Sequence, residues 1–300
     1  MNEPADKTTS VDSPDQSPRR VGLVAGWGRY PFVVAETLRR QGVRVYCVGV
    51  IGHAEPELRD ACDDFRWIGL CRLGAAIRYF QRHGVTEATL VGKTHKVALF
   101  QPWRWVKLLP DWTTVRTFAP HFLTRRKDCR DDSLLGAVVE VFAAHGIHFR
   151  PATDYVPELL VREGVLTDRS PSEAEWRDVE FGWHIAKQMG GLDIGQSVVV
   201  KDQAVMAVEA VEGTDECIRR AGSLCGTGGF AVVKVAKPQQ DMRFDVPTVG
   251  RKTLESIRQA GGRVLAIEAG RTILLDEKET IAWANQHRLT IVSLSVGSRQ

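Results

Sequence analysis

VGLVAGWGRYPFVVAETLRRQGVRVYCVGVIG, residues 21–52, decides the fold. An apolar run breaks at Gly26 and Gly28, a helical period follows, Gly42 stops it, and a second β-rich run begins. Near-continuous apolar strands separated by a helix are what a parallel sheet covered on both faces requires. Further along, FRWIGL reads as a strand, LGAAIRYFQRHG as a helix and ATLVG as a strand. Asp131 and Asp132 then precede SLLGAVVEVFAAHGI, a capped helix. The first half, residues 21–156, is therefore expected to be an α/β, Rossmann-like domain with a parallel, doubly wound sheet.

Three prolines and many charges between residues 151 and 171 mark the junction, with residues 157–171 as the linker region. A helix follows near residues 172–189, then SVVVKDQAVMAVEA, two β-rich runs around a polar turn that predict a hairpin. GGFAVVKVA, RVLAIEAG and LTIVSLSV supply more strands, with helices at TLESIRQAGG and KETIAWANQHR. Residues 172–300 thus predict a second α/β domain.

Composition narrows the function class. The 300 residues carry 40 Lys plus Arg against 37 Asp plus Glu, a net charge of +3 that is too small and too evenly spread to point to nucleic acid. Six cysteines without a CxxC pair read as reduced thiols of a cytoplasmic protein. Residues 1–20 are polar, Pro/Ser-rich and lack an apolar core, so they read as a disordered tail rather than a signal peptide. No apolar run is long enough to span a bilayer, which leaves contact with a membrane surface open.

Several charged or glycine-rich turns are candidate sites. Gly26 and Gly28 lie between a strand and a helix, either where backbone amides meet an anion or as a tight turn with no ligand. The dinucleotide fingerprint would need a third glycine where Pro31 stands and an acid at the end of the second strand, where Gly49-Val50-Ile51-Gly52 stands instead. Lys93, His95 and Lys96 follow a strand, either as phosphate ligands or as a solvated loop. In VEAVEGTDE, Glu212 and Asp215 flank Gly213 and Thr214 at a strand-to-helix turn. They are candidate metal ligands there, unless Thr214 or Asp215 simply caps the helix. KVAKPQQDMRFDVPTVG, residues 234–250, sets Lys234, Lys237 and Arg243 beside Asp241 and Asp245 between two stiffening prolines. Thr248 is expected at the start of the next helix. Either the charges neutralise one another on a surface, or the cations meet a phosphate while Asp245 or Asp241 holds a divalent ion against it. Glu268 and Gly270 add one more acid and glycine at a strand end.

With VGLVAGWGRYP, LDIGQSVVV, AVEAVEGTDE, KPQQDMRFDVPTVG and IEAGRTILLD in place, the chain resembles the UDP-2,3-diacylglucosamine pyrophosphatases of lipid A biosynthesis, the group unrelated to calcineurin-like metallophosphatases. The resemblance implies two α/β domains with the active site between them and residues 172–300 as the catalytic domain. It implies hydrolysis of a UDP-linked diacyl sugar to UMP and 2,3-diacylglucosamine 1-phosphate with Mg2+ or another divalent cation. Asp245 matches the family's essential aspartate. On this reading Asp245, Lys237, Arg243 and Lys234 are catalytic, and Asp245, Asp215 and Glu212 are metal candidates. Gly26, Gly28, Lys93, Gln240, Thr214, Thr248 and Glu268 bind substrate. The Trp-rich segment LFQPWRWVKLLPDW, residues 99–112, departs from the family. It suits either peripheral contact with the inner membrane or an internal or subunit contact, as in a homodimer. A nucleotide-binding oxidoreductase or a non-catalytic sugar-nucleotide binder is the alternative function.

Overall fold

A computed structural model describes residues 18–92, 109–124, 131–243 and 246–295. The expected tail lies outside the described residues as far as position 17. Order sets in before residue 21, because Arg20 pairs with Arg44 in the first sheet and Arg19 bonds Glu87.

In the first half, β1 (Arg20–Ala25), α1 (Tyr30–Arg40), β2 (Arg44–Val50) and β3 (Asp64–Ile68) are followed by α2 (Leu73–Arg82) and β4 (Glu87–Val91). Then come α3 (Trp112–Thr124), α4 (Asp131–Ala143) and the short β5 (His148–Phe149). The strands pair in the order β3-β2-β1-β4-β5, all parallel. That order reverses between β1 and β4, the switch point outside which doubly wound sheets bind ligands. Alternate residues of β2 serve opposite faces, as strand geometry demands. Val45 and Cys47 pack with Val34 and Leu38 of α1, whereas Tyr46 and Val48 pack with Ile77 and Phe80 of α2 and Phe142 of α4.

The second half holds β6 (Gly164–Val165), α5 (Glu173–Gly191), β7 (Ser197–Lys201), β8 (Ala204–Val208), α6 (Thr214–Leu224) and β9 (Ala231–Lys234). It continues with β10 (Thr248–Val249), α7 (Arg251–Gln259), β11 (Val264–Glu268), β12 (Ile273–Leu274), α8 (Glu277–Gln286) and β13 (Thr290–Leu294). Six strands form a mixed sheet, β6-β13-β11-β9-β7-β8, in which β13, β11 and β9 are mutually parallel. β7 runs antiparallel to β9 and β8, and β6 antiparallel to β13. Because β6 lies within residues 157–171, that stretch is joined to the second sheet.

The expected hairpin forms through Asp202 and Gln203, whose positive φ values of 50° and 58° match a two-residue turn that follows the sheet's twist. The buried Asp178 of α5 accepts the backbone N–H groups of both turn residues, at 3.1 and 2.6 Å, and so ties helix to hairpin. Ser172 opens α5 with a capping box shared with Glu175. α5 covers one face of the sheet through Val179, Ala186 and Met189. α6, α7 and α8 cover the other through Ile218, Leu254, Ile257 and Ala284.

A two-stranded parallel sheet, β10 with β12, stands apart from the main one. It accounts for Thr248, which starts no helix. Thr248 pairs with Ile273, and α7 begins three residues later after Gly250. Ile273 is fully buried in the same apolar cluster as Leu23, Ala25 and Leu38 of the first domain, with Val246 and Leu275 packed against it. The halves are joined by apolar burial as well as by covalent connection, and this seam holds their facing edges in place.

Candidate active site

The first sheet's carboxyl edge ends in Gly26, Trp27 and Gly28 after β1 and in Gly92 after β4. Gly26 N–H donates to the Val91 carbonyl at 2.8 Å, which closes the two turns on each other. Gly92 has φ +90°, and a Cβ there would stand 2.9 Å from the Gly26 carbonyl carbon, so a side chain would force the turns apart. Pro31 fills the first turn of α1, and β2 ends without an acid at Val50. Neither the third fingerprint glycine nor the ribose-binding carboxylate is therefore in place for a nicotinamide dinucleotide.

This edge faces the second domain. Lys252, in the first turn of α7, places its ammonium 5.3 Å from the Trp27 ring centroid. Arg29 pairs with Asp276 at the start of α8, at 3.3 Å. The partners sit at the carboxyl edge of the second sheet, because α6, α7 and α8 all begin beyond that edge. α7 has no acid in its first turn, carries Arg251 and Lys252 there, and takes no side-chain cap from Gly250. Cations at a helix N-terminus work against the macrodipole, and an anion relieves that conflict.

Inside the same edge lies a buried polar chain. Lys234 ends β9 and is only 6% exposed. Its ammonium donates to Thr214 Oγ1 at 3.0 Å, and Thr214 donates its own proton to Glu209 Oε1 at 3.0 Å. With the threonine's one proton committed to the carboxylate, the 3.4 Å contact from Ser197 Oγ is a donation by the serine. Thr214 does not cap α6, because Gly213 is the N-cap residue and no side chain bonds the first turn. Glu209 Oε2 is buried without a hydrogen-bond partner among the described residues. Gly195 packs against the Glu209 backbone, and a Cβ on it would come to 2.0 Å from the Glu209 carbonyl oxygen. Burial together with the Glu209 charge pushes the Cys217 thiol up to about 11, so this cysteine is protonated at neutral pH.

The loop after β9 carries the remaining cations. Arg243 grips Asp241 through its side chain, with Nε 2.9 Å from Oδ1, and its backbone N–H also bonds that oxygen. The guanidinium hydrogen bond holds the Asp241 carboxyl below the usual aspartate range. Arg243 also feels the charge of Glu140 on α4, so the loop reaches toward the first domain. Lys237 bonds Asp193 at 2.6 Å, while Gln240 Oε1 accepts the Lys237 backbone N–H at 2.9 Å. Lys234, Thr214, Lys237, Gln240 and Arg243 thus belong to the carboxyl edge of the second sheet and the loop that follows it. Asp245 and Lys93 lie outside the described residues.

The other candidate acids are placed differently. Glu212 pairs with Arg220 at 2.6 Å and accepts the Ala210 N–H. Asp215 accepts from Ser256 of α7 at 3.3 Å, so these two carboxylates are committed to separate partners. Glu268 is fully buried beneath the loop, where Oε2 accepts Lys187 Nζ at 2.6 Å and the Ala236 N–H at 2.7 Å. Its Oε1 has no hydrogen-bond partner among the described residues. Among the described residues no three His, Cys, Asp or Glu side chains converge as a metal site. Lys187 and Glu209 are the residues that sequence reasoning left out of the site. Glu209 stands at the start of the quoted VEAVEGTDE motif and could have been found there. Lys187 looks like any lysine of an amphipathic helix.

Two cavities bracket this arrangement. An apolar one of about 130 Å³ opens at the first sheet's carboxyl edge beside Gly26 and Gly92, lined by Val50, Leu73, Leu90 and Phe142. A larger one of about 510 Å³ lies beside Gly228, Gly261 and Arg263, at the amino edge of the second sheet and away from Lys234. Neither cavity is lined by Lys234, Thr214, Lys237, Gln240 or Arg243.

A family model described as the LpxI N-terminal domain matches residues 20–159, and one described as the LpxI C-terminal domain matches residues 162–292. A protein of Caulobacter vibrioides named UDP-2,3-diacylglucosamine pyrophosphatase LpxI is 28% identical over 289 residues, which cover 94% of this chain and 99% of that protein. Both halves of the molecule match in order and nearly end to end, and the chain belongs to the LpxI family.

Proposed function

We propose that this chain hydrolyses the pyrophosphate bond of UDP-2,3-diacylglucosamine to UMP and 2,3-diacylglucosamine 1-phosphate, a step of lipid A biosynthesis. The observation that carries the reading is the likeness to the Caulobacter pyrophosphatase across both domains. The cationic edge facing a glycine turn supports it. In the reaction a water oxygen bonds one phosphorus, the bridging P–O bond breaks, and two phosphate monoesters leave with release of a proton. Negative charge gathers on the phosphoryl oxygens during displacement, so preorganised cations contribute most of what a protein can offer. Lys234, held by Thr214, is the fixed member of that set. Lys237 and Arg243 are the members that carry carboxylate partners, Asp193 and Asp241. The Gly26–Gly28 turn and Lys93 hold the nucleotide side.

The metal requirement is part of the proposal. Magnesium binds through one or two carboxylates and phosphate oxygens, a donor set that Asp245 and the diphosphate can supply. Glu209 Oε2, with no hydrogen-bond partner among the described residues, is a further oxygen suited to a hard cation. The ion, when bound, neutralises phosphoryl charge. Contact with the membrane's inner face is proposed on the exposed apolar residues Leu109, Trp112 and Val115 at the start of α3, Trp112 being 78% exposed. No helix among the described residues is long and apolar enough to cross a bilayer. A homodimer through the same patch is the competing use, and sedimentation with and without lipid vesicles separates the two. The activity is tested by incubating purified protein with UDP-2,3-diacylglucosamine, with magnesium or with EDTA, and quantifying UMP. Magnesium-dependent release is expected. Folded protein that releases no UMP with any divalent cation overturns the reading.

A further inference from the structure

The loop that carries Lys237, Gln240, Asp241 and Arg243 is fastened at three points, two on α5 and one just past its C-terminal end. Lys187 Nζ donates to the Ala236 carbonyl at 3.2 Å and to Glu268 Oε2 at 2.6 Å, and the same Glu268 oxygen accepts the Ala236 N–H at 2.7 Å. Both backbone polar groups of Ala236 are thereby taken up by one ion pair, whose carboxylate is buried and whose ammonium is partly so. Three residues on, Gly190 is buried against the loop, and a Cβ there would stand 3.3 Å from Lys237 Cα and Pro238 Cδ. Three residues further, Asp193 receives Lys237 Nζ at 2.6 Å. Residues 187 and 190 stand at the i, i+3 spacing that puts helical neighbours on one face, and Asp193, with φ 58°, follows just past the helix's C-terminal end. Beyond the clamp, Gln240 closes the loop on itself: its Oε1 accepts the Lys237 N–H and its own N–H bonds the Lys237 carbonyl. Nothing about a surface lysine–glutamate pair would require this arrangement. A buried charge pair that spends its bonds on one backbone unit sets the position of that unit.

We infer that Lys187 and Glu268 are positioning residues, which fix the root of the 236–243 loop against α5 so that its cations meet the diphosphate in register. The inference rests on the pyrophosphatase reading of the cleft. Displacements near 1 Å from productive geometry cost about 100-fold in rate, and a loop freed at Ala236 can move that far.

Two variants test it. Lys187→Met with Glu268→Leu replaces the ion pair by apolar side chains of similar size, a change that buried pairs tolerate without unfolding. Gly190→Ala improves a helix position while pressing on the loop by a few tenths of an ångström. For the double variant the expected outcome is a kcat for UMP release lowered about 10- to 100-fold, a KM within a few-fold, and faster amide exchange at Ala236. For Gly190→Ala it is a lowered kcat with a melting temperature equal to or above wild type, which a merely structural role would not give. Lys187→Arg, which keeps the charge, should stay within a few-fold of wild type. Wild-type kcat in a folded double variant and in Gly190→Ala overturns the inference, as does unchanged exchange at Ala236 in the double variant. Should the double variant fail to fold, Gly190→Ala decides alone. If wild-type protein releases no UMP, the functional reading fails, and exchange at Ala236 still decides whether the clamp exists.

Discussion

Replacing Thr214 by valine keeps the side chain's shape and removes its hydroxyl, which makes it the sharpest probe of the buried chain at the cleft. In the native protein that hydroxyl accepts from Lys234 and donates to Glu209, each at 3.0 Å. Valine leaves Glu209 with both carboxylate oxygens lacking a hydrogen-bond donor, since Oε2 has none already. A hydrogen bond to a charged group contributes about 1.5–3 kcal/mol, and a buried group left without its partner costs about as much. Lys234 makes other interactions, so only the Glu209 bond is counted in full, and the expected loss is about 2–3 kcal/mol. For a domain of this size that lowers the melting temperature by roughly 6–12 °C. Thr214→Ser keeps the hydroxyl and should melt within a few degrees of wild type. Calorimetry gives the stability, and UMP release under saturating substrate gives the chemistry, where Thr214→Val is expected to lower kcat because Lys234 loses its anchor. A valine variant that melts with wild type and turns over at its rate would refute the idea that Thr214 joins Lys234 to Glu209.

Ile273→Ala empties a fully buried position in the seam between the domains, and a cost of about 2–5 kcal/mol is expected in urea unfolding. A cost below about 1 kcal/mol would mean that the halves are not joined by this cluster. Gly195→Ala sets a methyl 2.0 Å from the Glu209 carbonyl oxygen and must displace backbone, whereas Gly191→Ala meets nothing within 4 Å. The first is expected to lose about 1–3 kcal/mol or more and the second to melt near wild type; equal melting temperatures would contradict the close approach. The Asp241 carboxyl is held below its ordinary value by Arg243, so the pair's contribution is present above the unfolded aspartate pKa of about 3.9 and is lost as pH falls through the lower folded value. Carboxyl-carbon NMR titration should find Asp241 still ionised at about pH 3.9, and half-protonation at or above that pH would contradict the ion pair.

How much of this could be read in advance differs residue by residue. The alternation of strand and helix in residues 21–52 needed only apolar runs and the glycines that punctuate them, signals that act over a few residues. The hairpin after Ser197 was equally local, since Asp202 and Gln203 are turn residues between β-rich runs. Thr248 went astray for the opposite reason: it pairs with Ile273, 25 positions away, and no local propensity reports such a partner. Glu212 and Asp215 look like a pair because they flank one turn. In space, one faces Arg220 and the other Ser256. The cations of residues 234–243 were recognisable by charge, but not which one would be buried. Lys234 is the one that ends a central strand of the sheet. The helix start at Arg251, with two cations and no acid, became meaningful only once the topology turned it toward Trp27.

The most direct test is a structure of the Asp245→Ala protein with UDP-2,3-diacylglucosamine bound. The diphosphate is expected between the domains, within hydrogen-bond reach of Lys234 Nζ on one side and of the Gly26–Gly28 turn on the other. A diphosphate that touches one domain alone, or that sits in the larger cavity beside Arg263, would contradict the facing of two sheet edges around a single phosphate site.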